Sequence, residues 1–314
     1  MIDYNMSWDD YRAFDALNGS TLAHILASPL EMQYRRTNGI QPPREVTRPG
    51  SALHSIVELL PESKFHEQFT VMPNFKRDPG NVNATTGERS YTATNWTRDQ
   101  EARFAEEVEE NGKEVLPFTE YQRVARMIQA IVDTNLDTID SVFAQILRSK
   151  REVSVHERLG TVLCKGRIDG LLFLTELSCK QWSLKTCGAG VGLHDFRRVS
   201  SNLHYMFKDA MHWLLLRQYG LTPTEFSWFV IDDCKPIDKG LNAGKFPHAP
   251  QCVEVTLDTD KLSAAAVGVM AAIKLYEQCE RKQHWPGVEK YEYIPYDSEI
   301  PQLELEWEDD AEIS

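Results

Sequence analysis

Two β-rich runs joined by a short polar turn constrain the fold of this chain more than any other feature. Residues 161–174 read TVLCKGRIDGLLFL, and residues 180–186 read KQWSLKT. Their β-branched, aromatic and other apolar residues predict two neighbouring strands of a hairpin-like pair. The first strand carries Asp169 and the second carries Lys185. A turn between them would bring these two side chains together at one edge of a sheet.

Helical patterns dominate the first half of the chain. Apolar residues recur with a helical period in residues 17–39, 48–60 and 119–148, and Ser28-Pro29 predicts the start of a second short helix within the first of these segments. Residues 74–115 are polar and rich in Gly, Asn and Thr, which predicts a long surface loop or insertion.

The second half alternates between strand and helix patterns. A long helix is expected at about 195–218, strands at 225–233 and 252–258, and a long helix at 262–282. The order of these elements predicts one α/β domain over residues 1–296. Its helical N-terminal part is residues 1–150, its sheet core is residues 151–296, and an acidic tail follows at 297–314.

Composition narrows the class of protein. The six cysteines form no C-x-x-C pair, which favours reduced thiols over a disulfide framework, a zinc site or an iron–sulfur cluster. The N-terminus has no signal-peptide pattern, and no apolar run approaches the length of a membrane span. A cytoplasmic protein is therefore expected. The net charge of −13 argues against a nucleic-acid partner, but eight acids lie in the tail between Asp297 and Glu312.

Asp169 and Lys185 together have the chemistry of metal-assisted phosphodiester hydrolysis. A carboxylate is a hard oxygen ligand for Mg²⁺ or Mn²⁺. A neighbouring lysine can orient a water molecule, help to deprotonate it, or offset charge on a phosphate. The alternative is a surface aspartate in a glycine turn beside a solvated lysine, and these two residues alone favour that alternative.

Further segments resemble a known family, the RecE (exonuclease VIII) branch of the PD-(D/E)XK nucleases, which is related in fold to phage lambda exonuclease. The resembling segments run in family order from residue 17 to 287 and are LNGSTLAHILASPLEMQYRR, RPGSALHSIVELLPESKFHEQFTVMP, REVSVHE, KGRIDGL, WSLKT, NLHYMFKDAMHWLLLRQYG and HWPG. The resemblance implies a restriction-endonuclease-like core with a mixed central sheet flanked by helices. It also implies Mg²⁺- or Mn²⁺-dependent resection of double-stranded DNA ends in phage-type recombination, in the 5′ to 3′ direction.

The same resemblance implies partners and site residues. The resected strand would pass to a single-strand annealing protein, and a homo-oligomer would be consistent with the rings that related nucleases form around DNA. His54 and Asp169 would be metal ligands, and Lys185 would be the catalytic lysine. Glu152 matches a recurring acid at a strand start, with a catalytic or a supporting role.

Three positions depart from the family pattern. Ser183 stands where a second metal-binding acid is expected, so a catalytic position lacks a negative ligand. Lys208 and His212 stand where the family commonly has Gln and Tyr on one helix face. Asp209 beside them could replace the acid. Arg197, Arg198, Lys208 and His212 are the candidates for binding DNA phosphates. His156, Glu157 and Glu176 are weaker candidates for completing the metal site, and strand alternation favours His156 over Glu157.

Two functions are compatible with these residues. The first is a metal-dependent DNA exonuclease with an altered site. The second is a non-enzymatic derivative of the same fold that regulates by binding DNA ends or another protein. The acidic tail is expected to be a solubilising segment, although Leu303, Leu305 and Trp307 alternate with acids in a pattern that suits strand addition to a partner.

Overall fold

The computed structural model describes the chain in twelve ranges, which are 2–26, 28–39, 44–58, 65–73, 78–82, 89–92, 95–134, 138–188, 191–233, 235–236, 245–257 and 259–287. The tail predicted at 297–314 lies outside these ranges. No helix within them is both long enough and apolar enough to cross a membrane.

Strands and helices alternate irregularly along the described residues. The strands are β1 (Ile2–Asp3), β2 (Leu17–Asn18), β3 (Phe69–Val71), β4 (Asp78–Val82), β5 (Arg89–Thr92), β6 (Glu114–Leu116), β7 (Lys150–Leu159), β8 (Val162–Phe173), β9 (Ser178–Cys187), β10 (Thr222–Asp232) and β11 (Cys252–Leu257). The helices are α1 (Trp8–Ala13), α2 (Gly19–Ala23), α3 (Pro29–Asn38), α4 (Arg44–Val57), α5 (Phe65–Gln68), α6 (Asn95–Glu110), α7 (Phe118–Val132), α8 (Val142–Arg148), α9 (Leu193–Asn202), α10 (Tyr205–Gln218) and α11 (Thr259–Lys282).

A mixed sheet of seven strands forms the centre of the molecule. Its order is β1-β7-β8-β9-β10-β11, and β2 adds to β8. The pairs β7/β8, β8/β9 and β10/β11 are antiparallel, whereas β9/β10 and β2/β8 are parallel. The predicted strand pair carrying Asp169 and Lys185 is therefore confirmed as β8 and β9.

Helices cover both faces of this sheet and bury two apolar clusters. On one face, α10 contacts β7, β8 and β10, and α11 packs on α10. On the other face, α4 and α7 pack against β9 and β10. Alternation along β9 assigns its side chains to the two clusters, because Cys179 and Cys187 join the α10 side while Trp182 and Leu184 join the α4 side. The predicted mixed central sheet flanked by helices is confirmed.

Local sequence explains where several helices begin and end. The Ser28 hydroxyl accepts a hydrogen bond from the Glu31 N–H at 2.9 Å, with Pro29 in the first turn, so α3 begins as predicted. Gly39 ends α3 in the left-handed conformation with a φ of +61°. The Asn18 side chain caps α2 through the Thr21 N–H at 2.8 Å.

Two sequence expectations are wrong. The segment predicted as a loop at 74–115 contains the sixteen-residue helix α6, because its charged residues flank a set of apolar positions that repeat with a helical period. The long helix expected at 195–218 is two helices, α9 and α10. They are separated at His204, which has a φ of +52° that an α-helix cannot accommodate.

Candidate functional site

Strand β9 separates from β8 next to Asp169. Along one edge β8 pairs with β7, and along the other edge it pairs with β2 at Cys164 and Lys165 and with β9 from Gly170 onward. Residues 166–169 have no strand partner on that second edge within the described chain. The Leu184 N–H donates instead to Oδ2 of Asp169 at 2.7 Å. The Asp169 carboxylate thus takes the place of a backbone hydrogen bond where the two strands diverge.

Glu152 lies opposite Asp169 on the neighbouring strand. The β7/β8 ladder pairs Arg151 with Gly170 and Val153 with Ile168, and it is interrupted between these pairs. Glu152 has a φ of +51°, which is unfavourable for a side chain with a Cβ, and it is buried. A strained residue at a ladder break turns its side chain away from the regular strand direction. Regular alternation in this segment could not have predicted this orientation.

His54 completes a cluster with these two acids. It lies in the last turn of α4, and its Nδ1 is 3.4 Å from Oε1 of Glu152. One potential ligand atom from each of His54, Glu152 and Asp169 lies within 4.8 Å of the others. Burial opposes the charged form of His54, but the Asp169 carboxylate and the Glu152 contact raise its pKa above the ordinary value. The structure therefore brings the predicted residues His54 and Asp169 together, with Glu152 as a third donor.

Lys185 lies beside this cluster without a close ion pair. Its Nζ is 3.9 Å from Oδ2 of Asp169 and 5.0 Å from the centre of the Tyr205 ring. Burial opposes its charge, but the Asp209 and Asp169 carboxylates outweigh burial and raise the pKa of Lys185. The lysine therefore stays protonated beside Asp169.

The Ser183 side chain points to the face of the sheet that α10 covers. It is 2% exposed, and its hydroxyl donates to Oδ1 of Asp209 at 2.9 Å. The Trp228 indole N–H donates to the other oxygen of Asp209 at 2.7 Å. Ser183 is thus engaged by a buried carboxylate from α10 and does not belong to the cluster of His54, Glu152 and Asp169.

The predicted basic residues lie on two helices, with Lys208 and His212 on α10 and Arg197 and Arg198 on α9. His212 packs against Gly166, where an added Cβ would come within 2.4 Å of the imidazole ring, and burial lowers the pKa of His212. The Nζ of Lys208 is 5.7 Å from the Tyr205 ring, and burial and the nearby Lys185 lower its pKa. Arg197 and Arg198 are exposed on α9 and form no ion pair with described residues.

The weaker metal candidates lie apart from the cluster. His156 packs against Phe14 with ring centres 4.4 Å apart, and Glu176 is exposed in the turn between β8 and β9. Among the described residues, neither of these two side chains, nor Glu157, belongs to a group whose geometry could hold a metal ion.

Arg167 is a site residue that the sequence reasoning missed. Its Nε donates to Oε2 of Glu152 at 2.6 Å, and it pairs with Glu58 at 3.3 Å. These charge-assisted contacts hold the Glu152 carboxylate in place, and the His54 and Arg167 contacts outweigh burial and lower its pKa. Arg167 precedes Asp169 by two residues, so strand alternation could have identified it as a neighbour on the same face.

The cluster opens into a cleft of about 900 Å³. Trp8 and Arg12 from α1, His54 and Glu58 near the end of α4, and Lys113 and Glu114 at β6 are among its lining residues. The guanidinium of Arg167 stacks 4.5 Å from the Trp8 ring centre at the wall of this cleft. Two carboxylates and one imidazole at the inner end form a donor set that fits one divalent cation while leaving coordination positions open to the cleft.

Comparison with known structures confirms the fold class. The crystal structure of a protein from Eubacterium rectale, provisionally described as an exonuclease, matches 91% of this chain and 91% of its own chain, with a TM-score of 0.54 and 11% sequence identity. At this identity the likeness shows a shared fold, the predicted nuclease-like α/β core. A second structure, of the protein SSO0001, covers 50% of this chain and 59% of its own with 13% identity, but its TM-score of 0.25 is too low to indicate a shared fold. No protein-family model matches the chain, and no curated protein matches its sequence.

Proposed function

We propose that this protein is a Mg²⁺- or Mn²⁺-dependent nuclease that degrades double-stranded DNA from an end. The observation that carries the proposal is the convergence of His54, Glu152 and Asp169 within 4.8 Å, with the Lys185 ammonium 3.9 Å from Asp169. A cation site next to a charged lysine, open to a cleft, is the arrangement that phosphodiester hydrolysis requires. The fold shared with the Eubacterium rectale protein supports the same class of activity.

Each residue has a separate task in this reaction. His54, Glu152 and Asp169 would hold the cation, which when bound polarises a phosphoryl oxygen and acidifies water. Lys185, kept protonated by Asp209 and Asp169, donates a hydrogen bond to the attacking water or to a non-bridging phosphate oxygen. The water oxygen bonds to phosphorus as the bond from phosphorus to the leaving sugar oxygen breaks. The proton that the water loses passes to solvent in the cleft, and the leaving oxygen takes a proton from solvent. Arg167 keeps the Glu152 carboxylate oriented toward the cleft.

A non-enzymatic DNA-end-binding protein is the second candidate. The observation that favours it is the burial of Ser183, which leaves the usual second acid position without a carboxylate facing the cation. Resection for phage-type recombination, delivery of the strand to an annealing protein, and assembly as a homo-oligomer are proposed on the resemblance to RecE-like nucleases alone.

Two lysines on the same strand provide the test. End-labelled linear duplex DNA and covalently closed circular DNA are incubated with the protein and Mg²⁺, Mn²⁺ or EDTA. We expect degradation of the linear DNA that requires the cation and falls about 100-fold in Lys185→Ala.

Lys180→Ala is the matched control, because Lys180 is also buried on β9 but pairs with Glu254 far from the cluster. Its turnover per folded molecule should equal that of the unaltered protein. Tight binding of DNA ends without cleavage under any metal condition would overturn the nuclease and support the second candidate.

A further inference from the structure

Ser183 and Asp209 form a buried contact that belongs to no metal-ligating group among the described residues. The two residues are 2% and 1% exposed, and they lie on β9 and α10 respectively. The Ser183 hydroxyl donates to Oδ1 of Asp209 and the Trp228 indole donates to Oδ2. Both carboxylate oxygens accept a hydrogen bond, which fixes the orientation of the Asp209 side chain.

The helix and the strand are tied together at this point. Gln181 is two residues before Ser183 on the same face of β9. Its side-chain amide donates to the backbone carbonyl of Asp209 at 3.4 Å. Lys185 follows two residues after Ser183, again on this face. Alternation therefore places Gln181, Ser183 and Lys185 in one row beneath α10, with Asp209 opposite the middle of the row.

Asp209 and Lys185 are connected through the same strand and helix. The Ser183 hydroxyl that binds Asp209 is two residues before Lys185 on the same face of β9, and the Lys185 ammonium is 5.0 Å from the ring of Tyr205, which is on α10 like Asp209. Nδ1 of His212 also lies 3.8 Å from Oδ1 of Asp209. The hydrogen bonds from Ser183 and Trp228 hold the Asp209 carboxylate on the α10 side of β9, which is the side that Lys185 faces.

We propose that Asp209 is a positioning residue that supplies, from α10, the negative charge that a strand acid at position 183 would supply, with Ser183 linking it to the site. The negative charge lies on the helix and not on the strand, and the Ser183 hydroxyl donates a hydrogen bond to it. This inference rests on the proposed nuclease function, because the task of Asp209 is to orient Lys185 from the α10 side of β9.

This arrangement makes a specific demand on position 183. Restoring an acid there by Ser183→Asp would place two carboxylates against each other in a buried site, where like charges destabilise one another. Asp209→Asn removes the charge but keeps a carbonyl for the Trp228 N–H and gains an amide donor. In the double variant the new amide on α10 can donate to the new carboxylate on β9, so the charge returns to the strand with a hydrogen-bond partner.

The experiment is a double-variant cycle with two readouts. Turnover and KM on linear duplex DNA are measured for Ser183→Asp, Asp209→Asn and the double variant. Thermal unfolding of the same proteins is measured in EDTA. We expect Asp209→Asn to lower kcat about 10- to 100-fold with little change in KM, as for residues that orient a site from outside it. Ser183→Asp should lower the melting temperature by about 5 °C or more, and the double variant should recover most of both losses.

Ser227 and Glu254 provide the matched control pair. The Ser227 hydroxyl donates to Oε1 of Glu254 at 2.7 Å, on the same sheet and distant from the metal cluster. Ser227→Asp should destabilise the protein, and adding Glu254→Gln should restore stability, with kcat unchanged throughout. A change of kcat in this pair would mean that destabilisation alone explains the losses at position 209, which would overturn the proposal.

The two readouts separate the inference from the proposed function. If the unaltered protein does not cleave DNA, recovery of stability in the double variant still supports the placement of the charge on Asp209, while the nuclease function fails. If Asp209→Asn retains full activity, or the double variant is no better than Ser183→Asp in either readout, Asp209 does not hold the relocated charge.

Discussion

Lys180 and Lys185 lie on the same strand, β9, and are both largely buried, yet their surroundings differ. The Lys180 ammonium is 2.5 Å from Glu254, whose carboxylate also accepts hydrogen bonds from Ser227 and Gln145. Lys185 approaches Asp169 only to 3.9 Å. The first lysine has a dedicated partner, and the second faces a cluster of acids without closing a short contact on any described residue.

The difference teaches how to distinguish a stabilising lysine from a functional one. A lysine that stabilises the fold forms a short ion pair, because burying a charge without a partner lowers the stability of the folded state. A lysine without a short ion pair can stay charged when several carboxylates at longer range stabilise its ammonium, and its hydrogen-bond donors are then not all used within the protein. Burial alone would not separate these two residues, because their side chains are 9% and 18% exposed.

The largest expected effect is at Asp169 on β8, the carboxylate that lies 3.9 Å from the Lys185 ammonium. Asp169→Asn should lower nuclease turnover about 1000-fold, because the cation loses a charged ligand. The melting temperature should change little, since the asparagine carbonyl can still accept the Leu184 N–H. Asp169→Ala should lose both activity and stability, because it leaves that N–H without an acceptor. Equal melting temperatures for the asparagine and alanine variants would contradict the role of Asp169 in closing the sheet.

An intermediate effect is expected at the Lys180 end, and it depends on pH. Burial opposes the charge of Glu254, but hydrogen bonds from Lys180, Ser227 and Gln145 outweigh burial and lower its pKa. A depressed pKa contributes stability that is present above the unfolded value of about 4.3 and is lost as the pH falls through the folded value.

Glu254→Gln should therefore cost about 1–3 kcal/mol at pH 7, and the gap to the unaltered protein should narrow below about pH 4. Denaturant unfolding of both proteins at pH 7 and below about pH 4 measures this difference in the free energy of unfolding. Glu176→Gln, in the exposed turn of the neighbouring strand pair, is the control and should have no effect at either pH. A gap that widens on acidification would contradict this assignment.

The smallest effect is expected from the exposed arginines near Lys185. Arg197 and Arg198 lie on α9, which packs beside the site through Phe196 against Tyr205 and Trp228. Replacing either arginine by Ala should raise KM for DNA by a few fold, leave kcat unchanged, and reduce the salt dependence of binding by about one counterion. Arg148→Ala, on the helix that contacts Glu254 through Gln145, should change none of these quantities. Identical binding curves for all three variants would remove α9 from the DNA-binding surface.

Sequence patterns predicted the part of the site that depends on local regularity. Strand periodicity and the short turn placed Asp169 and Lys185 on adjacent strands, and the structure confirms this. The family resemblance identified His54 and Glu152, which are separated by 98 positions in the chain and come from a helix and a strand. Their convergence is a consequence of tertiary packing that no local pattern encodes.

The remaining parts depend on irregular geometry. Glu152 reaches the cluster through a left-handed backbone conformation, which alternation rules do not anticipate. Asp209 was recognised only as one replacement acid among several neighbours, because its hydrogen bond to Ser183 spans 26 residues of sequence. The division of the α9–α10 segment lies at His204, which has a φ of +52° and is not a typical helix-breaking residue.

The carboxylate that replaces a backbone hydrogen bond between β8 and β9 has a consequence for evolution. A homologue without nuclease activity would still be under selection to keep an acid or amide at position 169, since the Leu184 N–H needs an acceptor there. Retention of Asp169 in a homologue is therefore weak evidence of catalysis. A more informative position for tracing activity is Lys185, whose ammonium comes no closer than 3.9 Å to a carboxylate among the described residues.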